Sequence, residues 1–297
     1  MFDHLIVGVD GRDGGRDAVA LATALRPKRI TLVRAHPVEP IAGLGGADAV
    51  GAVHAETEKE LVTLRDELAP EADTLVVADR SPARALQRVA QDAGADLIVI
   101  GSAHHGPVAR LLLGDVGRAV IAHAPCAVAV APRDYRDKAA TPRRIAVGYD
   151  DGPEARAALE FASAAASELD AELTLVHAWD IPTVAVPEAV YLVGDEELTR
   201  TLKEAAQERL DAGLKIAGPK AKGVLERGEP SFILTSISEG QDLLVLGSRG
   251  WGPVRRIMLG STSDRLVHRA SCPVIVVPRP EQADAEGDAQ AREGATA

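Results

Sequence analysis

The stretch from Asp242 to Gly252 reads Asp-Leu-Leu-Val-Leu-Gly-Ser-Arg-Gly-Trp-Gly, and the turn Leu259-Gly260-Ser261-Thr262 follows it. The apolar run before Gly247 is typical of a buried strand. The residues after Gly260 are typical of a helix, with Thr262, Ser263 and Asp264 as cap candidates. Glycines let the backbone approach a ligand closely, and a helix N-terminus presents free N–H groups to anions. The stretch therefore predicts a strand, a phosphate-binding loop and a helix.

The spacing of the glycines carries a resemblance to a known family. Gly247, two residues, Gly250, nine residues and Gly260-Ser261 follow the pattern G-x2-G-x9-G-[ST], and the chain resembles the ATP-binding members of the universal stress protein family. The GxxxxGK[ST] motif of P-loop proteins does not occur in the sequence. The alternative interpretation is a plain strand-to-helix turn with a solvated face formed by Arg249, Arg255 and Arg256.

The resemblance implies a set of nucleotide-binding residues in the second half of the chain. Asp150 would hydrogen-bond adenine, Gly148 would pack beneath the nucleotide, and backbone atoms of Ala178 would lie beside it. Asp150 could equally be a turn or helix-cap residue, and the neighbouring His177 is interpreted as structural. ATP is the implied ligand, with magnesium left open, and its ribose and phosphates would be held by Gly247, Ser248, Arg249, Gly250, Gly252, Gly260, Ser261 and Thr262.

The first half of the chain repeats the second half. Residues 96–132 laid on residues 242–278 without a gap share about 16 of 37 identities, which indicates a tandem duplication. Each copy alternates short apolar runs with segments of helical periodicity. The predicted strands are residues 4–9, 30–35, 73–78, 96–100 and 127–131, then 144–149, 173–178, 221–226, 242–246 and 273–277. The predicted helices are residues 16–25, 54–68, 154–169 and 195–214, with two more opened by Pro82 and Pro230.

This alternation predicts an α/β fold of two tandem doubly wound domains, each a five-stranded parallel sheet with helices on both faces. The resemblance implies the strand order 3-2-1-4-5 and an intramolecular pseudo-dimer paired around the fifth strands, while a homodimer of whole chains is left open. The predicted boundaries are 1–132 for the first domain, 133–142 for an exposed linker, 143–280 for the second domain and 281–297 for a disordered tail.

Composition narrows the partners and the location. The net charge of −11 argues against nucleic acids and acidic membranes as partners. No apolar stretch has membrane-spanning length and the N-terminus lacks the features of a signal peptide, so we expect a cytoplasmic protein. Cys126 and Cys272 occupy matching places in the two halves and are interpreted as buried apolar residues rather than as a disulfide.

The first half departs from the glycine motif. Gly101 and Gly114 keep the outer spacing, but His104 replaces the middle glycine and Asp115 replaces the serine. A carboxylate at the phosphate end of a helix repels a triphosphate. We therefore expect the first half to bind ATP weakly or not at all; its equivalent positions are Gly8, Asp10, Ala35, Gly101, Gly106 and Gly114.

Three functions agree with these observations. The first is an ATP-binding universal stress protein that acts as a nucleotide-dependent module in stress response and regulation. The second is a slow ATP hydrolase on the same fold. Hydrolysis needs a positioned base and usually a metal, and no carboxylate cluster is placed on the phosphates, so no catalytic or metal-binding residue is assigned. The third is a nucleotide-free partner-binding protein, against which the intact second motif argues.

Overall fold

Twelve strands are found in the described part of the chain. The computed structural model describes residues 2–36, 46–103, 113–181, 195–250, 257–258 and 261–278. The strands of the first half are β1 His4–Gly8, β2 Arg29–His36, β3 Asp73–Ala78, β4 Leu97–Gly101 and β5 Ala127–Ala131. Those of the second half are β6 Arg144–Gly148, β7 Glu172–Trp179, β8 Lys222–Arg227, β9 Leu243–Gly247, β10 Arg249–Gly250, β11 Ile257–Met258 and β12 Val274–Val277.

The two halves share one sheet. Its strand order is β3-β2-β1-β4-β5-β12-β9-β6-β7-β8, so each half has the expected order 3-2-1-4-5, and the short strands β10 and β11 pair separately. Neighbours within a half run parallel, whereas β5 and β12 run antiparallel, with Ala129 opposite Ile275. The expected pairing of the two copies around their fifth strands is confirmed. The two predicted sheets are thereby joined into one sheet of ten strands.

Helices cover both faces of the sheet. In chain order they are α1 Asp13–Ala24, α2 Gly46–Leu68, α3 Pro82–Asp92, α4 Asp115–Ala122, α5 Pro153–Leu169, α6 Asp195–Ala217, α7 Pro230–Ser238 and α8 Ser261–Arg269. Buried residues of α1, α2, α5 and α6 share one apolar cluster, and those of α3, α4, α7 and α8 share the other. Helix α2 begins eight residues before the predicted start at residue 54, because the alanine- and glycine-rich segment before it lacks a charged helical pattern.

The connection between the halves is anchored, although most of its residues are exposed. A short 3-10 helix, Tyr135–Lys138, packs against α1, and Tyr135 is 6% exposed. The carboxylate of Asp17 in α1 is completely buried and accepts hydrogen bonds from the backbone N–H groups of Asp134 and Arg136, both at 3.0 Å. The prediction of a simply exposed linker therefore misses this contact. The signal was a lone acidic residue on the apolar face of α1.

The register of the central pair places the two cysteines far apart. Val128 lies opposite Val276 and Val130 opposite Val274, so Cys126 and Cys272 lie beyond opposite ends of the antiparallel pair. Both are free thiols, and burial raises the pKa of each to about 12. The interpretation as a buried apolar residue is confirmed for Cys272, whereas Cys126 is half-buried and packs against the edge of the same apolar cluster. Among the described helices, none is long and apolar enough to cross a membrane.

Asp242 fixes the start of the second half's sheet. Its carboxylate accepts hydrogen bonds from the backbone N–H groups of Arg143 and Arg144, each at 3.0 Å, and from the Arg144 guanidinium at 2.8 Å. Asp96 accepts the equivalent backbone bonds from Asp3 and His4 in the first half. Each of these carboxylates therefore joins the beginning of its fourth strand to the beginning of its first.

We expect Asp242→Ala to lower the free energy of unfolding by about 2 kcal/mol near neutral pH, because three donors lose a charged acceptor. Burial acts to raise the pKa of Asp242, but the Arg144 guanidinium and the backbone N–H groups outweigh it, so the pKa lies below 3.8. The contribution is present above pH 3.8 and is lost as the pH falls through the folded-state pKa. Denaturant unfolding at several pH values checks this. The control is Glu172→Ala, which removes an exposed ion pair with Lys222 and is expected to cost under about 1 kcal/mol. If both variants lost the same free energy of unfolding, Asp242 would not join the two strands as described.

Candidate functional site

A crevice lies at the carboxyl ends of the second half's strands. It has a volume of about 130 Å³ and opens where β6 and β9 lie side by side, the point at which the strand order reverses. Ligands of doubly wound sheets bind at this place, because the helices on either side diverge there. Four of the residues implied by the resemblance line it together: Gly148, Asp150, Ala178 and Gly247.

Asp150 has one carboxylate oxygen fixed by the turn that follows β6. Its Oδ1 accepts a hydrogen bond from the backbone N–H of Gly152 at 3.1 Å, and Gly152 is the residue that caps α5. Asp150 is therefore a turn residue, as the alternative interpretation held, and it also lies on the wall of the crevice. Among the described residues, Oδ2 has no hydrogen-bond donor, which leaves an acceptor for a ligand N–H.

The two strand glycines are explained first by packing. A methyl carbon at Gly247 would lie 2.5 Å from the backbone carbonyl oxygen of Glu154, so the start of α5 can approach β9 only where no side chain intervenes. A methyl carbon at Gly148 would lie 3.0 Å from Leu246 and 3.1 Å from Leu234. The glycines thus bring α5 and α7 close to the strand ends, and this close packing shapes the crevice.

The start of α8 is tied to the loop after β9. Ser263 is buried, and its hydroxyl donates a hydrogen bond to the carbonyl oxygen of Gly247 at 3.1 Å. Helix α8 begins at Ser261, so Thr262, Ser263 and Asp264 lie in its first turn rather than before it. The contact brings the amino end of α8 to the edge of the crevice, where a helix N-terminus favours anions.

The other predicted residues have different outcomes. Ser248 is 1% exposed, donates its backbone N–H to Val277, and does not line the crevice. Arg249 and Gly250 form the short strand β10, which pairs with β11, and Ser261 and Thr262 begin α8. For these four residues the structure describes the backbone only. Gly252, Arg255, Arg256 and Gly260 lie outside the described residues.

Several lining residues were missed by sequence reasoning. Leu234 and Pro230 of α7, Glu154 of α5 and Val176 of β7 line the crevice. Val176 and Leu234 are apolar members of the core, so their helical or strand periodicity indicated burial and nothing more. The sequence identifies Ser263 only as a helix-cap candidate. The serine within the first turn of a helix that follows a glycine loop was the available signal.

A hydrogen-bonded network holds Tyr149, which lines the crevice. The buried Tyr149 hydroxyl donates to Asp151 at 2.7 Å, and the Arg156 guanidinium donates to the same oxygen at 2.9 Å. Burial and the neighbouring Asp151 raise the pKa of Tyr149 to about 12, while the Tyr149 hydrogen bond helps lower the pKa of Asp151. His177 is 3% exposed, with Nδ1 2.6 Å from the Tyr149 carbonyl oxygen. This geometry agrees with a structural role for His177.

The first half places its equivalent residues in a tighter arrangement. A methyl carbon at Gly101 would lie 1.8 Å from the carbonyl oxygen of Gly14, and one at Gly8 would lie 2.8 Å from Leu86. Asp10 accepts a hydrogen bond from the Arg12 backbone N–H at 3.0 Å, as Asp150 does from Gly152. Ala35 lies in β2, Gly114 caps α4, and Asp115 occupies the first turn of that helix. His104 and Gly106 lie outside the described residues.

The described residues offer no cluster of three or more His, Cys, Asp or Glu side chains that could hold a metal ion. The crevice itself has an apolar wall formed by Val176, Leu234 and Leu246, a carboxylate with one oxygen open to a donor, and an adjacent helix start. An apolar pocket with a few placed polar groups is typical of small-molecule sites.

A doubly wound fold repeated in both halves, with a crevice at the switch point of the second, defines a tandem α/β protein. The sequence profile described as "Universal stress protein family" matches residues 1–132 and again residues 141–278. The chain therefore belongs to the universal stress protein family.

Individual relatives agree with this assignment. The chain is 34% identical over 189 residues to a universal stress protein of Mycobacterium tuberculosis, an alignment that covers 61% of each protein. It is 30% identical over 241 residues to one from Mycolicibacterium smegmatis, covering 78% of this chain and 72% of the relative. A universal stress protein from Archaeoglobus fulgidus has the same fold, with a TM-score of 0.68, 18% identity and coverage of 94% of this chain and 100% of that one. The match to the tuberculosis protein thus spans about three fifths of that protein's length.

Proposed function

We propose that the second half binds one adenine nucleotide, ATP, and that the protein acts as a nucleotide-dependent module in stress response and regulation. The observation that supports this proposal is the single crevice in which Gly148, Asp150, Ala178 and Gly247 converge beside the start of α8. The intact glycine motif and the family membership point to the same ligand.

Each group in the crevice has a role in this proposal. Asp150 accepts a hydrogen bond from the adenine amino group, because its Oδ2 is not used by the turn. Val176 and Leu234 pack against the base, and backbone atoms of Ala178 lie beside it. The volume of about 130 Å³ is smaller than the clefts of roughly 300–1,000 Å³ that hold whole drug-sized ligands. The described walls therefore hold the base, and the ribose and phosphates extend toward the glycine loop and the N–H groups of α8.

One nucleotide per chain is expected. In the first half, Asp115 occupies the first turn of α4, the place that Ser261 has in α8. A carboxylate there opposes the phosphates, because like charges repel at the positive end of the helix. The degenerate copy then supplies a structural partner through β5 rather than a second nucleotide site.

The test is calorimetric titration of ATP into the full chain and its variants. We expect a stoichiometry near one and binding weaker by about ten- to a hundredfold in Asp150→Ala, because a hydrogen bond to a charged acceptor contributes roughly 1.5–3 kcal/mol. Asp10→Ala is the matched control, since Asp10 has the same turn geometry in the first half, and it is expected to leave the affinity unchanged. Two equivalent sites, or equal losses in the two variants, would overturn the proposal.

A further inference from the structure

A second cavity lies in the first half of the chain, whereas the crevice proposed for the nucleotide lies in the second half. The volume of the cavity is about 270 Å³, and it opens between α1 and α2 where β1 and β2 end. The cavity and the crevice have no lining residue in common, although both are bordered by the apolar cluster shared by α1, α2, α5 and α6. The cavity is therefore separate from the proposed nucleotide site.

Three guanidinium groups line this cavity. They belong to Arg12, Arg16 and Arg34. Arg16 makes two hydrogen bonds to Glu67, at 2.7 and 2.8 Å, and Arg34 is paired with Glu60. The side chain of Arg12 is exposed and has no hydrogen bond or ion pair within the described part of the chain. The three arginines and their two glutamate partners sum to one positive charge, and Asp13, which also acts on Arg16, is itself paired with Arg136.

The cavity combines this charge with an apolar floor. Val9, Leu61 and Leu64 are at most 9% exposed. Gly11 has φ of +74°, and a methyl carbon there would lie 3.1 Å from both terminal nitrogens of Arg34. Glycine at this position lets the guanidinium lie directly against the backbone of the loop. The arginine is thereby held at the wall of the cavity instead of being displaced by a side chain.

In the second half the same place is filled by protein. The strands align in the same register, with Gly8 opposite Val33 and Gly148 opposite Val176, so that Tyr149 replaces Val9 and His177 replaces Arg34. Gly213 of α6 stands where α2 has Leu64, and a methyl carbon at Gly213 would lie 2.6 Å from the Tyr149 ring. The ring occupies the space against α6. The two halves have therefore diverged on this face as well as in the glycine motif.

We propose that the first-half cavity binds a small organic anion with a carboxylate or phosphate head group and a compact apolar part. Guanidinium groups pair with the oxygens of such head groups by charge-assisted hydrogen bonds. The buried aliphatic floor accepts the apolar part. This site lies in the other half of the chain from the crevice proposed for ATP, and the proposal does not depend on ATP binding.

The experiment titrates phenyl phosphate into the full chain by calorimetry, with inorganic phosphate as the head group alone. We expect phenyl phosphate to bind about tenfold more tightly, because the phenyl group buries apolar surface on the floor. Saturating ATP is expected to leave the phenyl phosphate affinity unchanged. Competition between the two ligands, or no binding of phenyl phosphate, would overturn the proposal. A failure of ATP to bind would affect only the proposed nucleotide site.

Variants test the residues. Arg12→Gln is expected to weaken phenyl phosphate binding about tenfold, because one charge-assisted contact is lost. Arg26→Gln changes the net charge equally at an exposed position outside the cavity and is expected to have no effect.

Val9→Tyr combined with Leu64→Gly copies the second half and is expected to abolish binding, with thermal unfolding as the check on the fold. If that pair of changes prevents folding, the comparison of Arg12→Gln with Arg26→Gln still decides, and equal affinities would contradict the proposal.

Discussion

Replacing Gly101 with alanine is expected to lower the free energy of unfolding by about 3 kcal/mol or more, at the upper end of overpacking changes. The added carbon would lie 1.8 Å from the carbonyl oxygen of Gly14 and 2.3 Å from its carbonyl carbon. Both atoms belong to backbone in the first turn of α1, so no side-chain rotation can relieve the contact. The helix would have to move away from β4, against which it packs.

Denaturant unfolding of the full chain measures this loss. The control is Gly51→Ala in α2, where a methyl carbon meets no atom within 4 Å. Alanine is the better helix former, so this variant is expected to be more stable by roughly 0.5–1 kcal/mol. Gly247→Ala is expected to resemble Gly101→Ala because of the contact at 2.5 Å with Glu154. A Gly101→Ala protein as stable as the wild type would show that α1 does not lie where the structure places it.

Asp17→Ala is expected to cost about 3 kcal/mol. The change leaves the backbone N–H groups of Asp134 and Arg136 without their buried acceptor, and each unsatisfied buried group costs roughly 1–3 kcal/mol. Asp137→Ala is the control, because Asp137 lies beside Arg136 in the 3-10 helix and its side chain is 71% exposed. That variant is expected to change stability by less than about 0.5 kcal/mol. Equal losses in the two variants would contradict the anchoring role of Asp17.

The pH dependence of this loss has a definite sign. Burial raises the pKa of Asp17 above 3.8, and the hydrogen bonds from Arg136 and Asp134 oppose that rise only in part. The stability contributed by this group is therefore complete below pH 3.8 and is lost as the pH rises through the folded-state pKa. The difference in unfolding free energy between the wild type and Asp17→Ala should narrow as the pH is raised from about 4. A widening difference would show that the carboxylate is stabilised rather than penalised by its surroundings.

The architecture could be predicted from the sequence because it depends on local pattern and on repetition. Apolar runs such as Asp96 to Ile100 indicate buried strands by themselves. Because residues 96–132 match residues 242–278, each strand or helix indicated in one copy is supported by its counterpart in the other. The anchoring of the connection by Asp17 could not be predicted in this way. It depends on two backbone groups more than one hundred residues away in the chain, and such contacts leave no local pattern.

The candidate site was predictable only in part. The glycine spacing and Asp150 indicated one edge of the second sheet, and the structure brings Gly148, Asp150, Ala178 and Gly247 together there. The packing reason for Gly247 was hidden, because the carbonyl of Glu154 that excludes a side chain is nearly a hundred residues distant. The cavity of the first half was hidden for a related reason. Its three arginines come from segments whose proximity is fixed by the pairing of β1 with β2.

The antiparallel contact of β5 with β12 has an evolutionary consequence. In a dimer of two identical subunits, every mutation appears in both subunits. Neither subunit can therefore lose a ligand-binding residue while the other keeps it. Here the two partners are different segments of one chain, so a mutation changes one of them and leaves the other as it was. The first half has His104 and Asp115 where the second half has Gly250 and Ser261. A tandem duplication therefore lets the two halves of a symmetric pair acquire different functions.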